Sequence, residues 1–128
     1  MKRALIAGAA IWAAPLAAAE IKAPSGQVVT LYEVVLEDET RMARFLFLAP
    51  GIAVTEEAGL SYGEVQADFP WLCEGVILPA LSANAWSAAE VVIAMSDREV
   101  AFGERDSTAT QFFEVFRIDE GTCVWAGF

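Results

Sequence analysis

The sequence contains no histidine. That removes the imidazole general base, the Ser-His-Asp and Cys-His arrangements, and every metalloprotease motif built on paired histidines. Cysteine is scarce as well, with only Cys73 and Cys123. Two thiols without histidine fall short of the four ligands that a structural zinc site takes. Their spacing is also far from the two intervening residues of a thioredoxin-like redox pair. No glycine-rich phosphate loop occurs, and Gly59 and Gly63 stand apart from one another. Basic residues are few: 8 Lys and Arg face 18 Asp and Glu. Such an anionic surface repels phosphate backbones and acidic lipid heads, so it disfavours binding to nucleic acid or a membrane surface. It permits a cationic partner, and it keeps an apolar-rich chain in solution. Beyond the first residues no apolar run is long enough to span a bilayer.

What is present begins with an address. Met1-Lys2-Arg3 is a basic start, residues 4–14 are an unbroken apolar run, and Pro15 interrupts it. Ala17-Ala18-Ala19 then supplies the small residues a signal peptidase reads before Glu20. Residues 1–19 are therefore predicted to be a secretory signal peptide, cleaved between Ala19 and Glu20. A spanning anchor needs about 20 apolar residues, more than this run supplies. No cysteine follows the cleavage site to carry a lipid. The expected product is periplasmic or secreted, with no membrane attachment after cleavage.

Taking 19 residues from 128 leaves 109, enough for one domain with a core of its own. Cleavage also removes Lys2 and Arg3 from the 8 basic residues, leaving 6 against 18 acidic ones and a net charge of −12 in place of −10. Residues 20–27 read as a short polar lead-in, and residues 28–128 as the domain.

Residues 28–37 and 41–48 are dense in β-branched and aromatic side chains and read as a strand hairpin. Ala43, Phe45 and Phe47 share one face of its second strand. Ser61 and Glu64 fit a capping box. Tyr62, Val65, Phe69, Leu72, Cys73, Val76 and Ala80 then recur at helical steps, so a helix is expected over 62–82. Pro70 lies within this pattern and predicts either a kink or two helices meeting there. Further strands are expected over 91–96, 111–118 and 122–127, with Asp119-Glu120-Gly121 as a three-residue hairpin loop. The expected fold class is α+β. It is a single, largely antiparallel sheet of order β-β-α-β-β-β, with one long, kinked helix packed on one face.

In an oxidising compartment the two cysteines are most simply a disulfide, Cys73 to Cys123. Closing a loop of about 50 residues contributes on the order of 4 kcal/mol in the chain-entropy view.

Candidate chemistry is sparse. The Glu33, Glu37, Asp38 and Glu39 cluster has the oxygen ligands for Ca²⁺ but lacks the alternating loop and its central glycine. A solvated hairpin tip explains it better. Thirteen Glu and five Asp make chance carboxylate pairs plentiful, so no catalytic residue, metal ligand or cofactor is assigned. Asp97-Arg98 ends an apolar strand and is followed by Phe102. Arg98 either offers a planar fork to a carboxylate ligand or forms an internal ion pair with Asp97, Glu99 or Glu114. Trp125, on the final hairpin, either docks a partner or covers the sheet edge. Asp97, Arg98, Phe102 and Trp125 are thus the candidate ligand- or partner-binding residues.

Several segments together resemble a known family. They are Met95-Ser96-Asp97-Arg98, Val100-Ala101-Phe102-Gly103, the run from Ala109 to Arg117, and Gly121-Thr122-Cys123-Val124-Trp125-Ala126-Gly127-Phe128. With Arg44-Phe45-Leu46-Phe47-Leu48-Ala49-Pro50 and Leu72-Cys73, they are similar to short exported alphaproteobacterial proteins of unknown function. Pro70 departs from the family pattern, which has an unbroken helix there. Some members are labelled acetolactate synthase. That chemistry needs a thiamine-diphosphate site between large domains, which this chain could not build. The resemblance implies no catalytic residues.

The reading these residues support is a small exported, non-enzymatic binding or accessory module for a protein or small-molecule partner. The alternatives are a small hydrolase or lyase using Asp or Glu, and a carrier of an apolar ligand. Two carboxylates in one cleft would favour the hydrolase, and a cavity enclosed between helix and sheet would favour the carrier.

Overall fold

The computed structural model describes residues 19–55 and 59–127, so most of the predicted leader and Phe128 lie outside the described residues. The fold is α+β, as the hydrophobic patterning predicts. Six strands form one sheet in chain order: β1 (Glu20–Lys22), β2 (Val28–Glu37), β3 (Met42–Leu48), β4 (Glu90–Ser96), β5 (Gln111–Asp119) and β6 (Thr122–Trp125).

Two features of the expected sheet are corrected. The sheet is mixed, not largely antiparallel, because β3 and β4 at its centre run parallel, from Met42 opposite Glu90 to Leu48 opposite Ser96. The helical segment lies between these two strands. One helical traverse returns the chain to the end of the sheet where β3 began, so β4 must run the same way as β3. The element order is also β-β-β-α-β-β-β, because Glu20–Lys22 adds a strand. Ile21 pairs with Val29 and packs on the core, while Glu20 and Lys22 stay exposed as charged edge residues. The β5–β6 loop is shorter than expected. Asp119 pairs with Thr122, and Glu120 and Gly121 both have positive φ, at 52° and 80°, as a two-residue type I′ turn requires.

The helical segment is one kinked element in pieces: α1 (Tyr62–Val65), α2 (Asp68–Leu72), a π turn (Cys73–Ile77) and α3 (Leu78–Ala83). The capping box holds its start. The Ser61 hydroxyl accepts from the Glu64 N–H, and the Glu64 carboxylate accepts from the Ser61 N–H at 2.9 Å. The break after Val65 puts Pro70 in the first turn of α2, where its missing N–H has no intrahelical partner to lose. The π turn does the same for Pro79, which falls at the start of α3. There the Leu78 N–H donates to the Cys73 carbonyl, five residues back. The extra residue in that turn also rotates the buried face. Ile77 and Leu81 become the fully buried residues, while the expected Val76 packs half-buried against the core and Ala80 is half-buried.

The core lies between this segment and one sheet face. Phe45, Phe47, Val91, Ile93 and Met95 meet Val65, Phe69, Leu72 and Ile77, all essentially without solvent contact. A bulge in β2 between Leu31 and Glu33 keeps Leu31 and Val34 on this face. Residues 97–110 cross the opposite face. Val100 is buried there, its N–H donating to the Tyr32 hydroxyl and its carbonyl accepting from it at 2.7 Å. Among the described residues, no helix is long and apolar enough to cross a membrane.

Candidate functional site

The pattern of β5 carries the first clue to the site. Phe112, Phe116 and Ile118 face the core, and two-residue alternation puts Glu114 in the same row, opposite Ile93 on β4. Glu114 is only 5% exposed. It is a carboxylate set into an apolar stripe, which is costly unless its oxygens are hydrogen-bonded. The Tyr62 hydroxyl, from the start of α1, donates to one oxygen, and the Trp125 indole N–H, from β6, donates to the other.

These three side chains line a pocket of about 470 Å³ between the helical segment and the β5–β6 edge. Phe69, Pro70, Phe116 and Cys123 complete its apolar wall. The Tyr62 ring is fixed edge-on to Phe112, with centroids 5.8 Å apart, and tilted against Phe69 at 6.1 Å. Trp125 is 61% exposed at the mouth. The hydrogen bond to Glu114, reinforced by burial, raises the Tyr62 pKa, so the hydroxyl stays a donor beyond the ordinary tyrosine range. Among the described residues, Glu114 is the sole carboxylate in the lining. The arrangement can fix a polar group at the floor and pack an apolar body against the walls.

The disulfide-capable pair includes Cys123 of this wall. Cys73, in the π turn, and Cys123, in β6, have a Cα–Cα separation of 6.3 Å with their sulfurs in bonding contact. The Cys123 N–H also donates to the Glu74 carboxylate at 2.9 Å. Together these fasten β6 to the helical segment and set the position of Trp125, two residues on.

The other candidates from the sequence lie elsewhere. Asp97 holds Arg98 in a two-pronged contact, at 3.2 and 3.3 Å, and Arg98 also donates to Thr108 at 3.0 Å. The same carboxylate raises the Arg98 pKa further. Asp97 in turn accepts from the Thr110 N–H, so the pair ties the two ends of the 97–110 loop together. Phe102 lies on the opposite sheet face from Trp125, beneath the Arg44 guanidinium at 5.2 Å, beside a smaller pocket of about 190 Å³. Ala19 and Glu20 are exposed at the start of β1. Thus the structure joins Asp97 to Arg98 but brings neither to Trp125. The acidic hairpin tip is engaged locally, with Glu37 accepting from Arg44 and Thr40, and Asp38 pairing with Arg41. Among the described residues, no group of three or more acidic or thiol side chains is placed to hold a metal ion.

Sequence reasoning missed Tyr62 and Glu114 as site residues, although the alternation along β5 already sets Glu114 among apolar neighbours. It also missed Asp68, a fully buried acid in α2. Asp68 accepts from the Ser25 N–H at 2.9 Å, the Ser25 hydroxyl at 2.6 Å and the Gln27 amide at 2.9 Å, and so pins the β1–β2 connection onto the helical segment.

The chain belongs to a family of unknown function (DUF6497), whose model matches residues 6–128. No curated protein and no solved structure matches it.

Proposed function

We propose that this protein is an exported, non-enzymatic binding module, and that its ligand sits in the Tyr62–Glu114–Trp125 pocket. The observation that carries this reading is Glu114. It is buried in a row of core side chains yet lines an open, apolar-walled pocket. The pocket volume falls within the roughly 300–1,000 Å³ range of small-molecule sites. A lone carboxylate favours recognition over bond cleavage, since glycosidase-type hydrolysis uses a pair. An apolar carrier fits less well, because the pocket between the helical segment and the β5–β6 edge is open to solvent and carries a carboxylate in its lining. The leader-like residues 1–19 and the cysteine pair support export to an oxidising compartment.

Fragment screening by ¹⁵N–¹H correlation spectroscopy tests the site. Hits are expected to move the Trp125 indole resonance and the backbone of residues 62–70 first. Hits that cluster on the 97–110 face instead would overturn the assignment. N-terminal sequencing of the protein from its native source tests export, with Glu20 expected as the first residue. A chain that still carries residues 1–19 refutes it.

A further inference from the structure

Among the described residues, Glu114 has no counter-charge. The ion pairs among the described residues are Arg41–Asp38, Arg44–Glu37 and Arg98–Asp97, and none reaches it. Its two partners, Tyr62 and Trp125, are neutral donors, one to each oxygen. An ionised carboxylate has about four lone-pair positions, so about two remain unused. Glu114 is itself part of the pocket lining, and those positions are what the floor offers a ligand.

The walls add a second preference. Tyr62, Phe69 and Trp125 give the pocket aromatic surface, which attracts cations over ring faces and packs flat apolar bodies. Desolvation at the floor strengthens an ionic contact relative to the same contact in water. The field of the whole chain, at net −10, further enriches cations at its surface.

Resting on the pocket assignment above, we infer that the ligand class is a small organic cation: an ammonium group, held by Glu114, on a flat apolar body packed against Tyr62 and Trp125. An anion is repelled by the same carboxylate. A neutral alcohol of equal shape can donate a hydrogen bond to Glu114 but supplies no charge, and hydrogen bonds to charged partners are stronger.

Phenethylamine, 2-phenylethanol and phenylacetate separate these cases, because they share a ring and differ in the polar end. Each is titrated into the full protein while the Trp125 indole resonance is followed. The amine is expected to bind at least about tenfold more tightly than the alcohol, and phenylacetate to leave the resonance unmoved. In Glu114→Gln the amine should fall to the alcohol's affinity, with the alcohol little changed. Equal affinity of amine and alcohol for the wild-type protein overturns the cation inference and leaves the pocket assignment standing. If none of the three moves the resonance, the pocket assignment falls and the inference goes with it. The wild-type comparison decides the matter even if Glu114→Gln fails to fold.

Discussion

Reducing the Cys73–Cys123 link should loosen the pocket before it unfolds the protein. The bond spans a sequence separation of 50, for which loop-closure entropy contributes about 4 kcal/mol. A single domain of this size has roughly 5–15 kcal/mol of stability in all, so the loss is a large fraction of the whole. Its effect is concentrated at β6, a four-residue strand that, among the described residues, pairs only with β5. Besides the disulfide, the Cys123 N–H donates to Glu74, and Trp125 and Tyr62 meet on Glu114. Urea unfolding with and without dithiothreitol, alongside a Cys73→Ala/Cys123→Ala double variant, measures the loss. With a slope of about 1–3 kcal/mol per molar, the midpoint should fall by roughly 1.3–4 M. Hydrogen exchange at the Trp125 indole should accelerate in reduced protein at urea concentrations where the rest of the domain stays folded. A stability change under about 1 kcal/mol would show that the covalent link does not hold this edge. Unchanged indole protection would show that β6 is anchored by something else.

Two other side chains give sharp outcomes. Asp68→Ala removes the acceptor for three hydrogen bonds and strands the buried Gln27 amide, so a loss of about 3 kcal/mol or more is expected in thermal or urea unfolding. Asp68→Asn should cost only about 1 kcal/mol, since the Gln27 oxygen, buried without a partner, can accept from the new amide once the Gln27 side chain flips. Equal losses for the two variants would refute this account. Tyr62 has a raised pKa in the fold, so its neutral form is favoured there. The stabilisation is complete below the unfolded value near pH 10 and is lost as pH climbs through the folded value. Melting temperature should therefore fall more steeply with alkaline pH in the wild type than in Tyr62→Phe, and parallel curves would rule the linkage out.

Most strands were legible because their signals are local. Alternating β-branched and aromatic residues mark β2 to β5, the Ser61–Glu64 box marks the helix start, and the only two cysteines leave one pairing. The parts that escaped are set by relations between elements. The parallel β3–β4 pair follows from where the helix returns the chain, not from the residues of either strand. β1 is three residues long and its partner supplies most of its reason to be extended. The π turn, which moves Ile77 and Leu81 into the core, answers Pro79 in a way that a fixed 3.6-residue period cannot show. For the site, Trp125 stood out as an aromatic on the last hairpin. Arg98 stood out too, yet its fork is filled by its own neighbour, Asp97.

The two buried acids show why burial alone does not mark a site. Asp68 and Glu114 both sit in apolar stripes, one on a helix and one on a strand, and a hydrophobicity pattern treats them alike. Their oxygens tell them apart. Asp68 accepts three hydrogen bonds from Ser25 and Gln27, all from within the chain, and serves to join two segments. Glu114 accepts two, from side chains that themselves line open space, and is itself part of that lining. A carboxylate needed only for folding is best served by donors that close around it, because each unused lone pair left in apolar surroundings adds a desolvation cost with no return. The incomplete shell around Glu114 is what the donor of the proposed ligand would complete.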